Sequence, residues 1–212
     1  MKNTAKSTTT PAAPWTSSVR DMKRVAILAA ATEVFGEHGL QGATMRQIAQ
    51  RAGCTTGAIY PLFASKEIIY AELLATSLAD LHAQVSAAAA GEGAGLSHER
   101  AAQAFLDHYL ARPYEVNLGL YAFNGLKKLG VGKEHDRALN QALIDTIALF
   151  SPAARRSRTS PPDADAMATF AQLIGTLVLH QAGRLQFSKL SPRQLVEHAL
   201  ITRRRAAGHQ ET

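Results

Sequence analysis

Apolar residues recur at helical spacing along almost the whole chain, and no segment shows the strict apolar–polar alternation of a half-buried strand. A first helix is predicted from about Val19 to His38, where Gly39 provides a natural stop. A second helix is predicted after Thr44, because a threonine N-cap with Gln47 three positions later forms a capping-box pattern. The pattern therefore predicts a helical chain from about Val19 onward.

The second and third predicted helices are short and lie on either side of a glycine. Ile48 and Ala49 belong to the apolar face of the second helix, which ends at Gly53, a residue free to adopt positive φ. The third helix is predicted from Thr55 to near Pro61. A helix, a glycine turn and a second short helix form a helix-turn-helix, whose second helix enters the major groove of DNA.

The rest of the chain predicts a larger helical body. A long helix begins after Ser65 and ends before the glycine-rich residues 91–95, and the basic loop 151–162 separates two later helices. Those later helices are expected at about His98–Ala111, Pro113–Leu129, Lys133–Phe150, Asp163–Ser188 and Pro192–Ala207. We therefore predict an all-α fold, with a Ser/Thr/Pro-rich disordered arm at 1–18, a three-helix unit at 19–64 and a larger helical domain at 65–207.

The composition agrees with a soluble folded protein, since 46% of the 212 residues are hydrophobic and 19% are charged. A single cysteine excludes an intrachain disulfide and a cysteine-based zinc cluster, and it suits a reducing compartment. Residues 1–18 lack the apolar core of a secretory signal, and the apolar run 166–179 is too short and too polar to span a bilayer. We expect a cytoplasmic protein with no membrane partner.

The net charge of +6 is concentrated near the beginning of the chain. Residues 1–70 carry eight Lys/Arg and four Asp/Glu, whereas residues 71–212 carry fifteen and thirteen. A basic excess around a helix-turn-helix favours a nucleic-acid partner. The cations that bracket the motif are Arg20, Lys23, Arg24 and Lys66.

Several polar groups of the motif suit contacts with duplex DNA. Thr55 and Thr56 offer hydroxyls to phosphates or base edges, and a threonine methyl can meet a thymine methyl. Tyr60 can donate its phenol to a phosphate, and Thr44 places a hydroxyl and a backbone N–H at a helix N-terminus, which attracts phosphate. Arg46 is interpreted either as a base or phosphate contact or as a solvated surface residue.

Residues 27–74 resemble the TetR family of bacterial transcription regulators. The shared motifs are AA…F…GxxxxT (Ala29, Ala30, Phe35, Gly39, Thr44), IAxxAG (Ile48, Ala49, Ala52, Gly53), GxIYxxF (Gly57, Ile59, Tyr60, Phe63) and SKE (Ser65, Lys66, Glu67). The resemblance implies DNA contacts at Thr44, Thr55, Thr56, Gly57, Tyr60 and Lys66. Three positions, Thr56, Pro61 and Leu62, depart from the commonest pattern, so the operator sequence cannot be inferred from relatives.

The resemblance also implies a ligand-responsive regulator, usually a repressor. Such a protein binds a palindromic double-stranded operator as a homodimer, and a small-molecule effector releases it. By analogy the dimer forms through helices 163–188 and 192–207, and the effector, expected to be partly apolar, binds within the C-terminal domain. A stripe of rings and polar tips is the candidate lining: Phe105, His108, Tyr109, Tyr114, Asn117, Tyr121 and Asn124. The alternative is that these rings are ordinary core.

Two other functions stay open, a constitutive DNA-binding protein without an effector and a helical enzyme. No HExxH, GxSxG or P-loop motif occurs, so we expect neither an enzyme nor a cofactor or metal. His135 lies between Glu134 and Asp136, but adjacent helical residues point apart. Cys54 is predicted to be a buried inert thiol rather than a redox sensor, and Arg203–Arg205 a solvated helix end.

Overall fold

The structure is a computed structural model that describes residues 14–92, 96–120, 131–151 and 162–208. Within these ranges the chain is helical and contains no β-strand, so the predicted all-α fold is confirmed. The helices are α1 (Pro14–Gly42), α2 (Met45–Arg51), α3 (Thr56–Ile59), α4 (Lys66–Ala90), α5 (Ser97–Ala111), α6 (Pro113–Leu120), α7 (Lys133–Ala148), α8 (Ala164–Gln181) and α9 (Pro192–Gly208), with a 3₁₀ helix at Arg184–Phe187.

The chain divides into two compact units, Met1–Ile69 and Tyr70–Thr212. The first unit contains α1, α2, α3 and the first turn of α4, and the second contains the rest of α4 together with α5 to α9. None of the helices that the structure describes is long and apolar enough to cross a membrane.

The core of the first unit is formed by one face of α1 and a few residues from the short helices. Ile48 of α2 and Ile59 of α3 are both fully buried. Helices of seven and four residues are too short to be stable alone, so burial of these two side chains stabilises them. The remaining buried members of this core include Ile27, Ala31, Val34, Phe35, Leu40 and Phe63.

Helix α1 is longer than its pattern predicts. It begins at Pro14 rather than Val19, so residues 14–18, expected to belong to a disordered arm, are helical. A proline is tolerated in the first turn because its missing N–H would have no helical partner there. Residues 1–13 lie outside the described part of the chain. The expected stop at Gly39 is present as a break inside α1, where φ is 64° and ψ is 174°.

The second unit is centred on α5, which packs against α6, α8 and α9. The ring of Phe105 makes edge-on contacts with three other aromatic rings, with centroid distances of 4.9 Å to Tyr109, 5.4 Å to Phe150 and 6.0 Å to Phe170. These rings come from α5, from the segment after α7 and from α8. Aromatic packing therefore joins three parts of the unit in one core.

Helix boundaries in the second unit differ from the predicted ones mainly at a glycine. The helix expected over 163–188 ends at Gln181, because Gly183 adopts the left-handed conformation (φ 67°, ψ 14°) and a 3₁₀ turn follows. The apolar Leu185 and Phe187 continue the periodic pattern past this break and conceal it in the sequence. Helix α6 is described as far as Leu120, and the later part of the predicted Pro113–Leu129 lies outside the described residues.

Candidate DNA-binding site

The N-terminus of α2 is capped by Thr44, as its spacing predicts. The Thr44 Oγ1 atom accepts a hydrogen bond from the backbone N–H of Gln47 at 3.2 Å. The Thr44 hydroxyl in turn donates to the Gln47 side-chain oxygen at 2.7 Å. The two side chains of the capping pair therefore bond each other at the exposed beginning of α2.

The turn between α2 and α3 depends on a glycine with positive φ. Gly53 has a φ of 67°, which a residue with a side chain rarely adopts. On either side of it, the N–H of Ala52 donates to the Ile48 carbonyl and the N–H of Cys54 donates to the Ala49 carbonyl, both at 2.9 Å. These bonds end α2 and direct the chain into α3.

Helix α3 buries one side and exposes the other. Ile59 is fully covered, whereas Thr55 and Gly57 are exposed and Tyr60 is 53% exposed. Thr56 is half-buried. A methyl group added at Gly57 would meet only the Thr55 hydroxyl, at 3.9 Å. The exposed side of α3 therefore carries small, uncharged side chains, which permit a close approach by another molecule.

Three exposed cations of the first unit have no charged or hydrogen-bonding partner among the described residues. Arg20 and Lys23 lie on the exposed side of α1, and Arg46 lies in the first turn of α2. Their charges are therefore available to an anionic partner.

Two other predicted cations are engaged within the unit. The Lys66 ammonium donates to the carbonyl oxygens of Ala43, at 2.8 Å, and Gln41, at 3.3 Å. The Arg24 guanidinium donates to the Leu62 carbonyl at 3.4 Å and lies 4.5 Å from the centre of the Phe63 ring. Both side chains therefore hold segments of the unit together.

Arg51, the last residue of α2, forms a double salt bridge that the sequence analysis missed. Its guanidinium donates to Glu33 at 2.7 Å and to the two oxygens of Glu37 at 2.9 and 3.0 Å. The hydrogen bond from Arg51 lowers the pKa of Glu37, and the two carboxylates raise the pKa of Arg51. The spacing of Glu33 and Glu37 places both on one face of α1, and this could have indicated a site for a cation. Their partner could not be predicted, because Arg51 is distant in sequence.

Cys54 is half-buried at the turn, so the expectation of a buried thiol is met only in part. No three His, Cys, Asp or Glu side chains come together as metal ligands in the described ranges.

Candidate effector residues in the second unit lie in two different surroundings. Phe105 and Tyr109 belong to the aromatic core described above, and burial raises the pKa of the Tyr109 hydroxyl. His108, which is also buried, belongs instead to a polar cluster around Glu115. Asn117 lies on α6, and Tyr121 and Asn124 lie outside the described residues.

The Glu115 cluster consists of Glu115 and the groups that bond it. Ser77 donates to one Glu115 oxygen at 2.6 Å, His108 Nε2 lies 3.1 Å from the same oxygen, and Tyr114 donates to the other at 3.0 Å. Burial lowers the pKa of His108, although the hydrogen bond with Glu115 opposes that effect. His108 Nδ1 lies 3.1 Å from both the Gln84 side-chain oxygen and the Arg112 guanidinium, so both ring nitrogens face polar partners.

The arginines near the C-terminus are not simply solvated, which corrects the expectation from the sequence. Arg204 forms an ion pair with the buried Glu99 of α5, with its Nε donating at 2.9 Å. Arg203 donates to Thr169 of α8 at 2.6 Å. Glu99 lies 105 positions before Arg204, so no local pattern shows the pair.

The comparisons with known proteins agree with this geometry. Residues 27–73 match the family of bacterial regulatory proteins described as the tetR family. The HTH-type transcriptional repressor AcnR of Corynebacterium diphtheriae is 27% identical over 126 residues, which cover 59% of this chain and 64% of the relative. The match thus spans less than two thirds of that curated relative.

Solved structures share the fold at low sequence identity. A TetR family transcription regulator from Marinobacter aquaeolei VT8 has a TM-score of 0.64 at 14% identity, covering 87% of this chain and 96% of its own. SmeT, the repressor of the Stenotrophomonas maltophilia multidrug efflux pump SmeDEF, has a TM-score of 0.55 at 17% identity, with 84% and 86% covered.

The fold and the exposed α3 define a helix-turn-helix protein. Within that class, the match of residues 27–73 to the tetR family of bacterial regulatory proteins confirms the resemblance found in the sequence.

Proposed function

We propose that this protein is a cytoplasmic repressor that binds a palindromic operator as a homodimer and leaves it when a small molecule binds. The observation that carries the proposal is the exposed, uncharged surface of α3 in a unit whose exposed cations Arg20, Lys23 and Arg46 have no described partner. A narrow surface of this kind can enter a major groove, while the cations meet the phosphates on either side.

Base discrimination is assigned to the beginning of the two short helices. Thr55 and Thr56 present hydroxyl and methyl groups, which suit adenine–thymine pairs, and Gly57 lets the backbone approach the base edges. Arg46 is the only charged side chain among these and is assigned to a guanine or to a neighbouring phosphate. Thr44 and Tyr60 complete the phosphate contacts from the ends of the motif.

Phosphate contacts are assigned mainly to Arg20, Lys23 and Arg46, which have no described partner of their own. Arg24 and Lys66 are bonded within the unit and are assigned a smaller share of the phosphate contacts. We therefore expect the first three residues to dominate the salt dependence of binding.

Dimerisation is assigned to the exposed face of α8, with α9 beside it. Met167, Val178 and Leu179 are 46%, 44% and 42% exposed, and Ile201 of α9 is also exposed. A methyl group added at Gly175 would meet nothing within 4 Å, so a second helix has room to approach there. An apolar helix face of this kind needs a partner, and a two-fold dimer presents two reading helices to a palindrome.

Repression and effector release are supported by the names of the relatives and by the interior of the second unit. AcnR is named a transcriptional repressor, and SmeT is named the repressor of a multidrug efflux pump. The Glu115 cluster gives the second unit buried polar groups beside an aromatic core, which is the composition of a small-molecule site. Among its predicted members, His108 and Tyr114 bond Glu115 directly.

The test is selection of a duplex from a randomised pool by the purified protein. We expect an enriched palindrome, binding as a dimer in sedimentation, and an affinity that falls steeply with salt. The variants Thr55→Ala and Thr56→Ala should lose discrimination between the enriched and a scrambled duplex, with little effect on scrambled DNA. An unenriched pool, or an affinity that stays flat between low and high salt, would contradict the proposal.

A further inference from the structure

We propose that Arg51 is a positioning residue for DNA recognition, which holds α2 on α1 and thereby sets the position of α3 without contacting DNA. This inference rests on the proposed function, because it explains how the reading surface is held in place. The Arg51 bridge, defined here as Arg51 with Glu33 and Glu37, is formed entirely within the first unit.

Helix α2 packs on α1 through a small apolar face, and the Arg51 bridge adds a polar restraint at its C-terminal end. It has seven residues and buries only Ile48 and Ala49. The Arg51 guanidinium reaches two carboxylates that are four positions apart, about one turn of α1, and therefore restrains rotation as well as distance. Because the Gly53 turn and α3 follow directly, the position of α2 determines where Thr55 and Thr56 stand.

The geometry separates Arg51 from the cations assigned to phosphates. Its Nη1 donates to Glu33 and its Nη2 donates to both oxygens of Glu37, so the terminal nitrogens are already bonded. One guanidinium with two carboxylates carries a net charge of −1, which repels a phosphate. Arg20, Lys23 and Arg46 have no such acidic neighbours among the described contacts.

The side chains of the Arg51 bridge are exposed, so water and salt screen it and its contribution to the free energy of unfolding is small. Its good geometry instead restrains the position of α2, and the expected effect is on the precision of the reading surface rather than on folding. A recognition group displaced by a fraction of an ångström loses directed contacts before the unit unfolds.

The experiment uses a duplex enriched by the full-length wild-type chain and a scrambled duplex of the same composition. Arg51→Met should lower the ratio of enriched to scrambled affinity about tenfold, or about 1.4 kcal/mol, whereas the lost positive charge weakens binding to both duplexes by the same small factor. The slope of log affinity against log salt should stay unchanged. The matched control Lys23→Met should weaken both duplexes and reduce that slope by about 0.9.

A second variant removes the same bridge and keeps the arginine. Glu33→Gln with Glu37→Gln should lower the ratio of enriched to scrambled affinity, as Arg51→Met does, although two lost negative charges strengthen all DNA binding. If Arg51 instead touched phosphate, this double variant would leave the ratio unchanged, and Arg51→Met would weaken both duplexes and reduce the slope. Either of those results would overturn the proposal.

Amide exchange separates failure of this inference from failure of the proposed function. Faster exchange in α2 of the unbound protein, in both variants, is expected from a loosened α2. If the wild-type protein enriched no duplex, the proposed function would fail, and faster exchange would then define the bridge as a structural contact with no role in recognition. An unchanged exchange rate and an unchanged affinity ratio would remove the positioning role while leaving DNA binding intact.

Discussion

The two units use charged groups in opposite ways. In the first unit the Arg51 bridge joins side chains that are 37%, 61% and 49% exposed. In the second unit Glu99 is 4% exposed and Glu115 is 8% exposed, and both are surrounded by hydrogen-bond donors. An exposed pair is screened by water and salt, whereas a buried carboxylate without its partner keeps the full cost of leaving water.

The two units are therefore expected to be destabilised by different kinds of substitution. The first unit has a small core, so its geometry depends on backbone features such as the positive φ of Gly39 and Gly53 and on the cap at Thr44. The second unit has a larger aromatic core and depends on keeping its buried acids paired. Substitutions should therefore act through backbone conformation in one unit and through desolvated charge in the other.

The largest effect is expected when the buried Glu99 of the second unit loses its ion pair with the half-exposed Arg204. Arg204→Met should lower the free energy of unfolding by about 3 kcal/mol, because Glu99 stays buried without its cation. The measurement is urea denaturation, with amide exchange in α5 and α9 to locate the change. Burial alone would raise the pKa of Glu99, but the Arg204 and Leu96 hydrogen bonds lower it below its ordinary value.

The matched control is Arg193→Met, which breaks an exposed pair between the same two helices. Arg193 lies 2.9 Å from Asp107, with the two side chains 70% and 46% exposed. This change should cost less than about 0.5 kcal/mol. Equal losses in the two variants would show that burial does not set the cost of these pairs.

Two glycines with nearly equal φ allow a direct comparison of backbone strain between the units. Gly39 (φ 64°, ψ 174°) occupies a region that only glycine adopts readily, whereas Gly183 (φ 67°, ψ 14°) is in the ordinary left-handed region. We expect Gly39→Ala to cost about 2–3 kcal/mol and Gly183→Ala about 1 kcal/mol.

A methyl group at Gly39 meets no atom within 4 Å, and one at Gly183 meets only the Gln186 side chain at 3.6 Å, so sterics do not account for the difference. Amide exchange in α2 and in α9 would report the two losses separately. A larger loss of stability in Gly183→Ala than in Gly39→Ala would contradict the view that Gly39 has the more strained backbone.

A mild acid sensitivity is expected in the second unit. Burial lowers the pKa of His108 and of His98 from the ordinary value near 6.5. The unfolded chain therefore takes up these protons first, and stability that is complete above about pH 6.5 falls as the pH approaches the folded pKa values. Each histidine contributes a slope of up to about 1.4 kcal/mol per pH unit in that window.

The variant His108→Gln tests this account, because glutamine can still donate to Glu115. It should reduce the slope below about pH 6.5 by up to the contribution of one proton, as measured by urea denaturation at several pH values. Glu99 acts at lower pH, since its lowered pKa makes it lose its charge only below the ordinary range of a carboxyl. A slope unchanged by His108→Gln would assign the acid sensitivity to other groups.

The smallest effect is expected at the cap of α2. Thr44→Ala removes the acceptor of the Gln47 N–H and should cost about 1 kcal/mol, seen as faster amide exchange in α2. The control is Thr32→Ala in the middle of α1, where the hydroxyl only bonds back to the Leu28 carbonyl at 2.9 Å. Thr32→Ala should leave stability almost unchanged, because alanine is the better helix former. A larger loss of stability in Thr32→Ala than in Thr44→Ala would show that the cap is not what stabilises α2.

Features that depend on near neighbours in the chain were predictable. The Thr44 cap and the Gly53 turn each involve residues within a few positions, and the buried faces of α1 and α2 follow from a period of 3.6 residues. The break at Gly183 was missed because Leu185 and Phe187 continue the apolar period.

Contacts between distant positions were not predictable in the same way. The Arg51 bridge spans 14 and 18 positions and the Glu99–Arg204 pair spans 105. The candidate lining residue Phe105 belongs to a core of rings that come from three segments of the chain, which its own helical stripe could not reveal.

The sequence by itself determined the helical class, the helix-turn-helix and the concentration of positive charge in the first 70 residues. Only the tertiary structure decided which cations are available to a partner: Lys23 and Arg46 lack described partners, whereas Arg51 and Lys66 are bonded within the unit. The two kinds of feature differ in the distance along the chain over which they act. Backbone preferences and periodicity act over a few residues, but these ion pairs form only where folding brings two distant side chains to within about 3 Å of each other.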